Sequence, residues 1–424
     1  MTNNYMKKGI CMMLLAMAGS NYCLAQQATI VVKNPSALPR TELVSISLND
    51  VKAKLNNATP KKGEAYIVKN KAGQQIGSQI THDGQLLIDA SVRPHGSATY
   101  TVSIGKPYPQ KVWTTGALYK IRKDDIAWEN DRCAYRVYGP ALQRSGERSF
   151  GTDIWVKNTP DTVVYDRYIK DRQGNIDGDK VDKLAKAAKT EAERKKLQAK
   201  SHEIDVTTSF HLDHGNGLDP YRVGATLGLG APGLMVGKDL VLPYCYKTYK
   251  ILDNGPLRFT VELTYNPSTV GEMKNVVEHR ITSLDKGSSF NKMTVWYDGL
   301  TSPTDFVTGF PIHEEDTESK TFGKDYVSYA DPTDNQEVNQ SQVYVGVLFP
   351  EGVDNTYYQL FDQKHDGATG HAIGLKRGLK NGEKYSYYFG AAWSKYDVKS
   401  YNEWQLRIQE YLEALNTPLN IEMK

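Results

Sequence analysis

Apolar and polar positions alternate over most of this chain, and the period is that of strands. Residues 29–32, 43–48, 65–70, 85–88 and 98–104 each read as a short half-buried strand. Asp83-Gly84 has the residue types of a hairpin turn. Pro107-Tyr108-Pro109 then interrupts the pattern as a link. Beyond it, strands are predicted at 134–138, 251–252, 259–265, 276–281, 291–297, 343–349 and 385–393, with turns at Asn254-Gly255-Pro256 and Asp298-Gly299. The expectation is an all-β protein. A small β-sandwich at 26–107 precedes a large antiparallel sandwich at 108–424.

Two stretches depart from the strand period. Residues 179–200 are rich in Ala, Lys and Glu, with eight basic against four acidic side chains and few apolar positions. They predict a solvent-facing helix within a charged insertion at about 171–204. A basic arm for an acidic glycan is the functional alternative. Asp171 to Asp179 spaces oxygen side chains like a calcium loop, but the twelfth position is Asp182 or Lys186, not Glu, so a helix-capping turn is expected. Near the C-terminus, residues 402–415 carry Trp404, Ile408, Tyr411, Leu412 and Leu415 on one helical face, which should pack on the sandwich.

The first residues have the plan of a signal peptide, expected at 1–25. Lys7 and Lys8 precede an apolar run at 10–18, and Cys23-Leu24-Ala25 resembles a cleavage site. The run is too short to span a bilayer. Lipid attachment at Cys23 is disfavoured, because Ser20-Asn21-Tyr22 lacks the Leu and small residue of such signals. An exported, periplasmic protein is expected. The net charge of +3 falls to +1 once Lys7 and Lys8 are set aside, so neither nucleic acid nor a membrane surface is an expected partner. Cys133 and Cys245 either pair or stay as buried thiols, the second being preferred. The 27 Tyr and 6 Trp suit stacking on sugar rings.

The densest chemistry runs from His211 to Tyr221 (HLDHGNGLDPY). Residues 206–212 alternate as a strand would, placing His211 on a polar face before a Gly-rich turn. Histidine suits proton transfer near neutral pH. His211, Asp213 and His214 could also hold calcium or zinc, although the chemistry favoured below requires no cofactor. A second set lies on the strand predicted through 128–138. One face carries Trp128, Asn130, Arg132, Ala134, Arg136 and Tyr138, and the other carries Glu129, Asp131, Cys133 and Tyr135. Such a polar row would suit the floor of a sugar site, or else an internal salt-bridge network. His313, in Gly309-Phe310-Pro311-Ile312-His313, and Trp393, in Gly390-Ala391-Ala392-Trp393, are weaker candidates for substrate contact. His279 and His371 read as structural or surface residues, and His365-Asp366 as part of a solvated loop. No Gly-x-Ser-x-Gly, phosphate loop or dinucleotide fingerprint occurs.

The motifs Trp128-Glu129-Asn130-Asp131-Arg132, Tyr138-Gly139-Pro140-Ala141-Leu142 and Gly151-Thr152-Asp153-Ile154-Trp155 together resemble an exported family of unknown function, DUF4861. His211-x-Asp213-His214-Gly215-x-Gly217-x-Asp219-x-Tyr221, Asn254-Gly255-Pro256-Leu257-Arg258 and Gly390-Ala391-Ala392-Trp393 extend the resemblance. That family is similar to the galactose-mutarotase-like supersandwich of sugar epimerases, polysaccharide lyases and glycoside hydrolases. The resemblance implies an oligosaccharide or polysaccharide substrate, often uronic-acid-containing, and a periplasmic setting; a fold alone supplies no reaction. The leading expectation is lyase-type β-elimination. Arg132, Asn130 and Arg136 would neutralise the uronate, His211 or His214 would be the base, and Tyr221 the acid. Trp128, Asp213, Asp219, His313 and Trp393 would line the substrate. A hydrolase would draw its carboxylates from Glu129, Asp213 and Asp219. An epimerase or mutarotase would pair His211 with Glu129. A non-catalytic glycan-binding protein is the remaining alternative.

Overall fold

The computed structural model describes residues 26–314, 319–332 and 341–424, so the expected signal segment lies outside the described residues. The predicted alternation folds as expected into antiparallel sheets. In the N-terminal part, Asn420–Met423, Gln27–Lys33, Ser97–Gly105 and Ala65–Asn70 form one sheet in that order. Arg40–Ser47, Gln85–Val92 and Ser78–Ile80 form another. Ile30, Val32, Val68 and Val102 from the first sheet pack on Val44, Ile46, Ile88 and Val92 from the second. The strand at 420–423 is contributed from the far end of the chain and pairs Ile30 with Met423. Leu48, read as the end of a strand, instead begins a short helix, Leu48–Lys54, which Ser47 caps by accepting from the Asp50 N–H.

The larger sandwich has two layers. One is an antiparallel sheet ordered Tyr246–Asn254, Arg258–Tyr265, Met273–Asp285, Phe290–Asp298, Tyr385–Trp393, Val343–Leu348, Tyr326–Asp331 and Lys320–Phe322. The other joins two smaller sheets. Asp153–Val156, Cys133–Val137, Asp125–Glu129 and Thr115–Tyr119 make the first. Asp239–Val241, Pro232–Val236, Thr304–Ile312, Ala368–Leu379 and Asn355–His365 make the second. A bridge from Thr152 to Gly228 links them. The inward residues of both layers form one core. Trp128 lies flat on Phe259 at 6.2 Å, Tyr135 meets Phe389 edge-on at 5.7 Å, and Phe310 stacks on Tyr329 at 6.2 Å. Cys133 and Cys245 are both buried and unpaired, as preferred above.

The charged insertion corrects the sequence reading. It is not one helix but a hairpin of two, Val164–Ala187 and Glu191–Thr208. The break is a capping box: Thr190 accepts from the Glu193 N–H at 3.2 Å, and Glu193 reaches back to the Lys189 N–H at 3.4 Å. The oxygen-rich stretch from Asp171 to Asp179 is interior helix rather than a loop. Gly174 is there because the second helix touches it; a Cβ at that position would sit 1.8 Å from the Thr208 hydroxyl. The strand expected at 206–212 is also overturned. Residues 206–208 complete the second helix, with the Thr207 and Thr208 hydroxyls bonding back to the Glu203 and Ile204 carbonyls. Among the described residues, no helix is long and apolar enough to cross a membrane.

The C-terminal helix, Tyr401–Asn416, has the expected amphipathic face. Ser400 caps it through the Glu403 N–H. Trp404, Ile408 and Leu412 are buried against Phe290, Tyr344 and Leu348 on the outer face of the large sheet. The Trp404 indole stacks on Phe290 at 5.2 Å and donates to the Val345 carbonyl at 3.0 Å. Trp404→Ala should therefore lower the unfolding free energy by about 3–5 kcal/mol in a denaturant titration. A loss below about 1 kcal/mol would show that the helix is not an integral layer.

Candidate functional site

The stretch 128–138, expected as one strand, is a hairpin: Asp125–Glu129 and Cys133–Val137 pair antiparallel across a turn at 130–132, so Trp128 shares the core face with Cys133 and Tyr135 rather than with Arg132 and Arg136, and its polar side chains make internal contacts. Glu129 is buried, and its carboxylate accepts from Lys157 Nζ at 2.8 Å and from the Val163 and Val164 N–H groups at 3.0 Å. It neutralises a buried ammonium and caps the first long helix. The expected catalytic role for Glu129 does not fit, because no face of its carboxylate is open. Trp128 donates to Asn291 Oδ1 at 2.7 Å from inside the core. Asn130 donates to the Asp285 and Ser288 carbonyls at 2.7 and 2.8 Å, and accepts from the Arg132 and Cys133 N–H groups. Neither is exposed to a substrate. Arg132 pairs with Asp397 and the Gly287 carbonyl at the edge of a groove on another face. Trp393 is buried, donating to Ser341 Oγ at 2.9 Å.

Arg136 forms the internal network that was the structural alternative. Its Nε donates to Asp153 at 2.6 Å, its Nη2 donates to Asp219 at 2.7 Å, and its Nη1 lies 3.6 Å from Asp125. Tyr138 completes the set by donating to Asp153 at 2.8 Å. Three carboxylates thus share one buried guanidinium. Burial, and for Asp219 also the charge of Asp153, push Asp125 and Asp219 up to about 6. The expected substrate contacts by Arg136 and Asp219 are replaced by these internal ones.

The His211–Tyr221 segment is a loop fastened from both sides. Arg167, on the first long helix, donates to Asn216 Oδ1 and to the Phe210 and Leu212 carbonyls. Asp213 accepts from the Gly215 and Gly217 N–H groups at 2.9 and 3.1 Å. Gly217 has a φ of +102°, and a Cβ there would meet the Val156 carbonyl at 1.9 Å. His214 Nε2 is 2.9 Å from the Ser209 carbonyl. His211 Nδ1 is 3.1 Å from the Asp219 carbonyl, while its side chain is 57% exposed. A ring that donates from Nδ1 to a carbonyl presents Nε2 as a basic lone pair. Asp213 and His214 face their own turn rather than His211. Among the described residues, no three His, Cys, Asp or Glu side chains are placed to share an ion.

Tyr221 leads to the second half of the site. The strand Thr304–Ile312 of one layer ends at His313, and Tyr326–Asp331 of the other layer ends at Asp331. His313 Nδ1 and Asp331 Oδ2 are 2.6 Å apart, and His313 Nε2 is 3.1 Å from the Arg222 carbonyl. Both neighbours are acceptors, so the ring satisfies them only with both nitrogens protonated. Burial lowers the imidazole pKa, but the charge and hydrogen bond of Asp331 outweigh it and leave His313 raised above 6.5. Tyr221 stands edge-on to this ring at 5.9 Å. Its hydroxyl is buried and has no hydrogen-bond partner among the described residues. Burial, then the charges of Asp331, Tyr329 and Asp153, raise the phenol well above its usual range, so it keeps its proton. Below, His371 is buried, takes the Leu227 N–H at 3.3 Å, and is pushed down to about 3 by burial and nearby imidazoles. His365 and Asp366 lie at an exposed turn as expected, and Asp366 also accepts the Ala225 N–H at 3.0 Å, next to Arg222 and Gly224.

Of the residues expected from sequence, the structure therefore brings together Tyr221 and His313, with Asp219 and His211 along the same loop. It separates them from Arg132 and Trp393, and it buries Glu129, Trp128, Asn130 and Arg136. Asp331 was missed. Its sequence signal is only an acid at the end of an alternating run.

Residues 32–421 match the family described as "Domain of unknown function (DUF4861)". The "Uncharacterized protein P7" of Formosa agariphila is 25% identical over 422 residues, covering 94% of each chain. Among solved structures, a protein in the glycosyl hydrolase family 38 from Enterococcus faecalis has 9% identity, covers 94% of this chain and gives a TM-score of 0.49. An alpha-mannosidase from Enterococcus faecalis V583 has 9% identity, covers 94% of this chain and gives 0.46. This chain spans 47% and 46% of those two structures, about half their length.

The His313–Asp331 pair has a pH signature. With the folded pKa above the unfolded 6.5, its stabilisation is complete below about pH 6.5 and fades as pH rises through the folded value. The stability lost in His313→Gln should be larger at acidic pH than at alkaline pH in paired denaturant titrations. A pH-independent loss would mean that the ring is neutral in the folded protein.

Proposed function

This chain belongs to the DUF4861 family, and we propose that it is a carbohydrate-active enzyme that cleaves uronic-acid-containing oligosaccharides by β-elimination after export to the periplasm. The observation that carries the reading is the Tyr221 hydroxyl: buried, protonated and unpartnered among the described residues, beside a charged His–Asp pair spanning both layers. An unmade hydrogen bond in a polar site costs about 1–3 kcal/mol, which a ligand oxygen would recover.

The chemistry follows from the placement. His211 Nε2 removes the proton on the carbon beside the uronate carboxylate. The electron pair left behind forms the new carbon–carbon double bond as the neighbouring carbon–oxygen bond breaks. Tyr221 donates its proton to the departing oxygen. The His313 imidazolium supplies positive charge opposite the anionic intermediate. The His211 ring is tied to the carbonyl of Asp219, two residues before Tyr221, so base and acid ride on one fastened loop. The tyrosine then recovers a proton from solvent, and His211 releases to solvent the proton it took, which restores both groups. These groups suffice without a metal; dialysis against a chelator should leave turnover intact, and a loss would bring in calcium or zinc.

The test is incubation with a panel of uronate oligosaccharides, following ultraviolet absorbance of the unsaturated product alongside chromatography. Tyr221→Phe should lower kcat by about 10²–10⁴-fold with little change in substrate affinity. New products without the absorbance would replace elimination with hydrolysis. No product from any substrate would remove the enzymatic reading and leave a glycan-binding protein.

A further inference from the structure

The outer face of the large sheet holds a feature that the reaction does not use. Side chains in four adjacent strands line up in register across it: Thr260 opposite Ser283, Ser283 opposite Lys292, and Lys292 opposite Tyr388. They point away from the core, since their strand neighbours Phe259, Val261, Leu284, Met293 and Phe389 are the core residues. Neighbouring strands lie about 4.8 Å apart, so the row offers a polar group at each such step. It forms the floor of a groove of about 990 Å³. One wall is the N-terminal strand bearing Arg40 and Glu42, and the other is the C-terminal helix at Arg407 and Tyr411.

The basic groups around this groove are mostly answered, and among its acids Glu410, exposed on the helix wall, has no ion pair among the described residues. Arg258 pairs with Asp285 at 2.5 and 2.7 Å, Lys286 with Asp89, Arg40 with Glu42, and Arg132 and Arg407 with Asp397. Lys292 is the exception on the floor. It is exposed and has no ion pair or hydrogen bond among the described residues. Two strands away, Thr260 is 2% exposed and its hydroxyl has no hydrogen-bond partner among the described residues. A buried unsatisfied hydroxyl beside an unanswered ammonium, in a row with Ser283 and Tyr388, is a set of groups waiting for hydroxyls and one negative charge. Tyr388 adds an aromatic edge for a sugar ring.

We propose that this groove is a second, non-catalytic binding site for an anionic oligosaccharide, with an acidic group on Lys292 and sugar hydroxyls on Thr260 and Ser283. The preference for a sugar chain rests on the reaction proposed above; the groove and its unanswered charge do not. Its place on the outer sheet face, apart from Tyr221 and His313, suits tethering a polymer rather than cleaving it.

The test uses calorimetric binding to the full chain carrying Tyr221→Phe, so that the probe is not consumed. The probes are an oligouronate, its reduced uncharged counterpart and a sulfated oligosaccharide. The parent should bind the oligouronate at two sites; adding Lys292→Glu should weaken one of the two binding events at least about ten-fold and leave the other, and Lys292→Arg should restore most of it. Binding of the sulfated chain as well would define the site by charge; binding of the oligouronate alone would define it by carboxylate. Because Lys292 is unpaired and exposed, the thermal midpoint should not move. Affinity at both sites within about two-fold after Lys292→Glu, equal binding of the uncharged probe, or no binding by the parent would each overturn the proposal. Lys292-dependent binding, with no unsaturated product when the unsubstituted protein is given the same oligouronate, would keep the groove and discard the reaction. Product with binding indifferent to Lys292 would do the reverse.

Discussion

One buried guanidinium fixes the geometry on which the candidate site depends. Arg136 belongs to the strand Cys133–Val137, yet it holds Asp153 of the adjoining strand, Asp219 of the His211–Tyr221 loop and Asp125 beside it. Asp219 in turn gives its carbonyl to His211 and lies two residues before Tyr221. The positions of both proposed proton-transfer groups therefore follow from one ion cluster. Breaking a buried pair from one side typically costs 3–5 kcal/mol, because the remaining charge is stranded. Arg167 performs the corresponding task from the helical side, through three oxygens of the same loop.

The sequence was legible where burial alternates with exposure. The strands at Arg258–Tyr265 and Phe290–Asp298, and the face of Trp404, Ile408 and Leu412, could be read because each element's packing repeats with its own period. It was less legible where local pattern and tertiary contact disagree. Val206, Thr207 and Thr208 have strand-like side chains, but they end a helix that presses against Gly174 of its partner. The two glycines at 174 and 178 made a helix interior look like an ion-binding loop. The Thr190–Glu193 capping box was present in the sequence and marks the helix break.

Charged residues were the hardest to assign. The polar stretch 128–138 reads in sequence as one strand with two mixed faces; it is two paired strands, and Trp128, Cys133, Tyr135 and Val137 give it an ordinary core face while Glu129 and Arg136 lie on the other. The structure selects the internal network for Arg136 and Glu129. Sequence cannot make that choice, because the partners Asp219 and Lys157 are 83 and 28 residues away from them. Asp331 was invisible for a related reason. Its meaning comes from His313, which reaches it only when strands from the two layers end at the same edge.

This separation bears on how the family is recognised. The stretch from Trp128 to Arg132 is among the most distinctive in the chain, and its side chains cap a helix, fill a core and staple turns. The Tyr221 hydroxyl at the end of the layers and the Thr260 hydroxyl on the outer sheet are among the buried polar atoms without a partner among the described residues, as are scaffold atoms such as Arg136 Nη1. Residues that build a fold are constrained by many simultaneous contacts and so give a strong signature. Residues that await a ligand are constrained by a partner absent from the chain itself. A family can thus be identified from its scaffold while its chemistry is carried elsewhere. The informative search is for polar groups that the fold buries and leaves unsatisfied, since folding stability alone gives no reason to keep them.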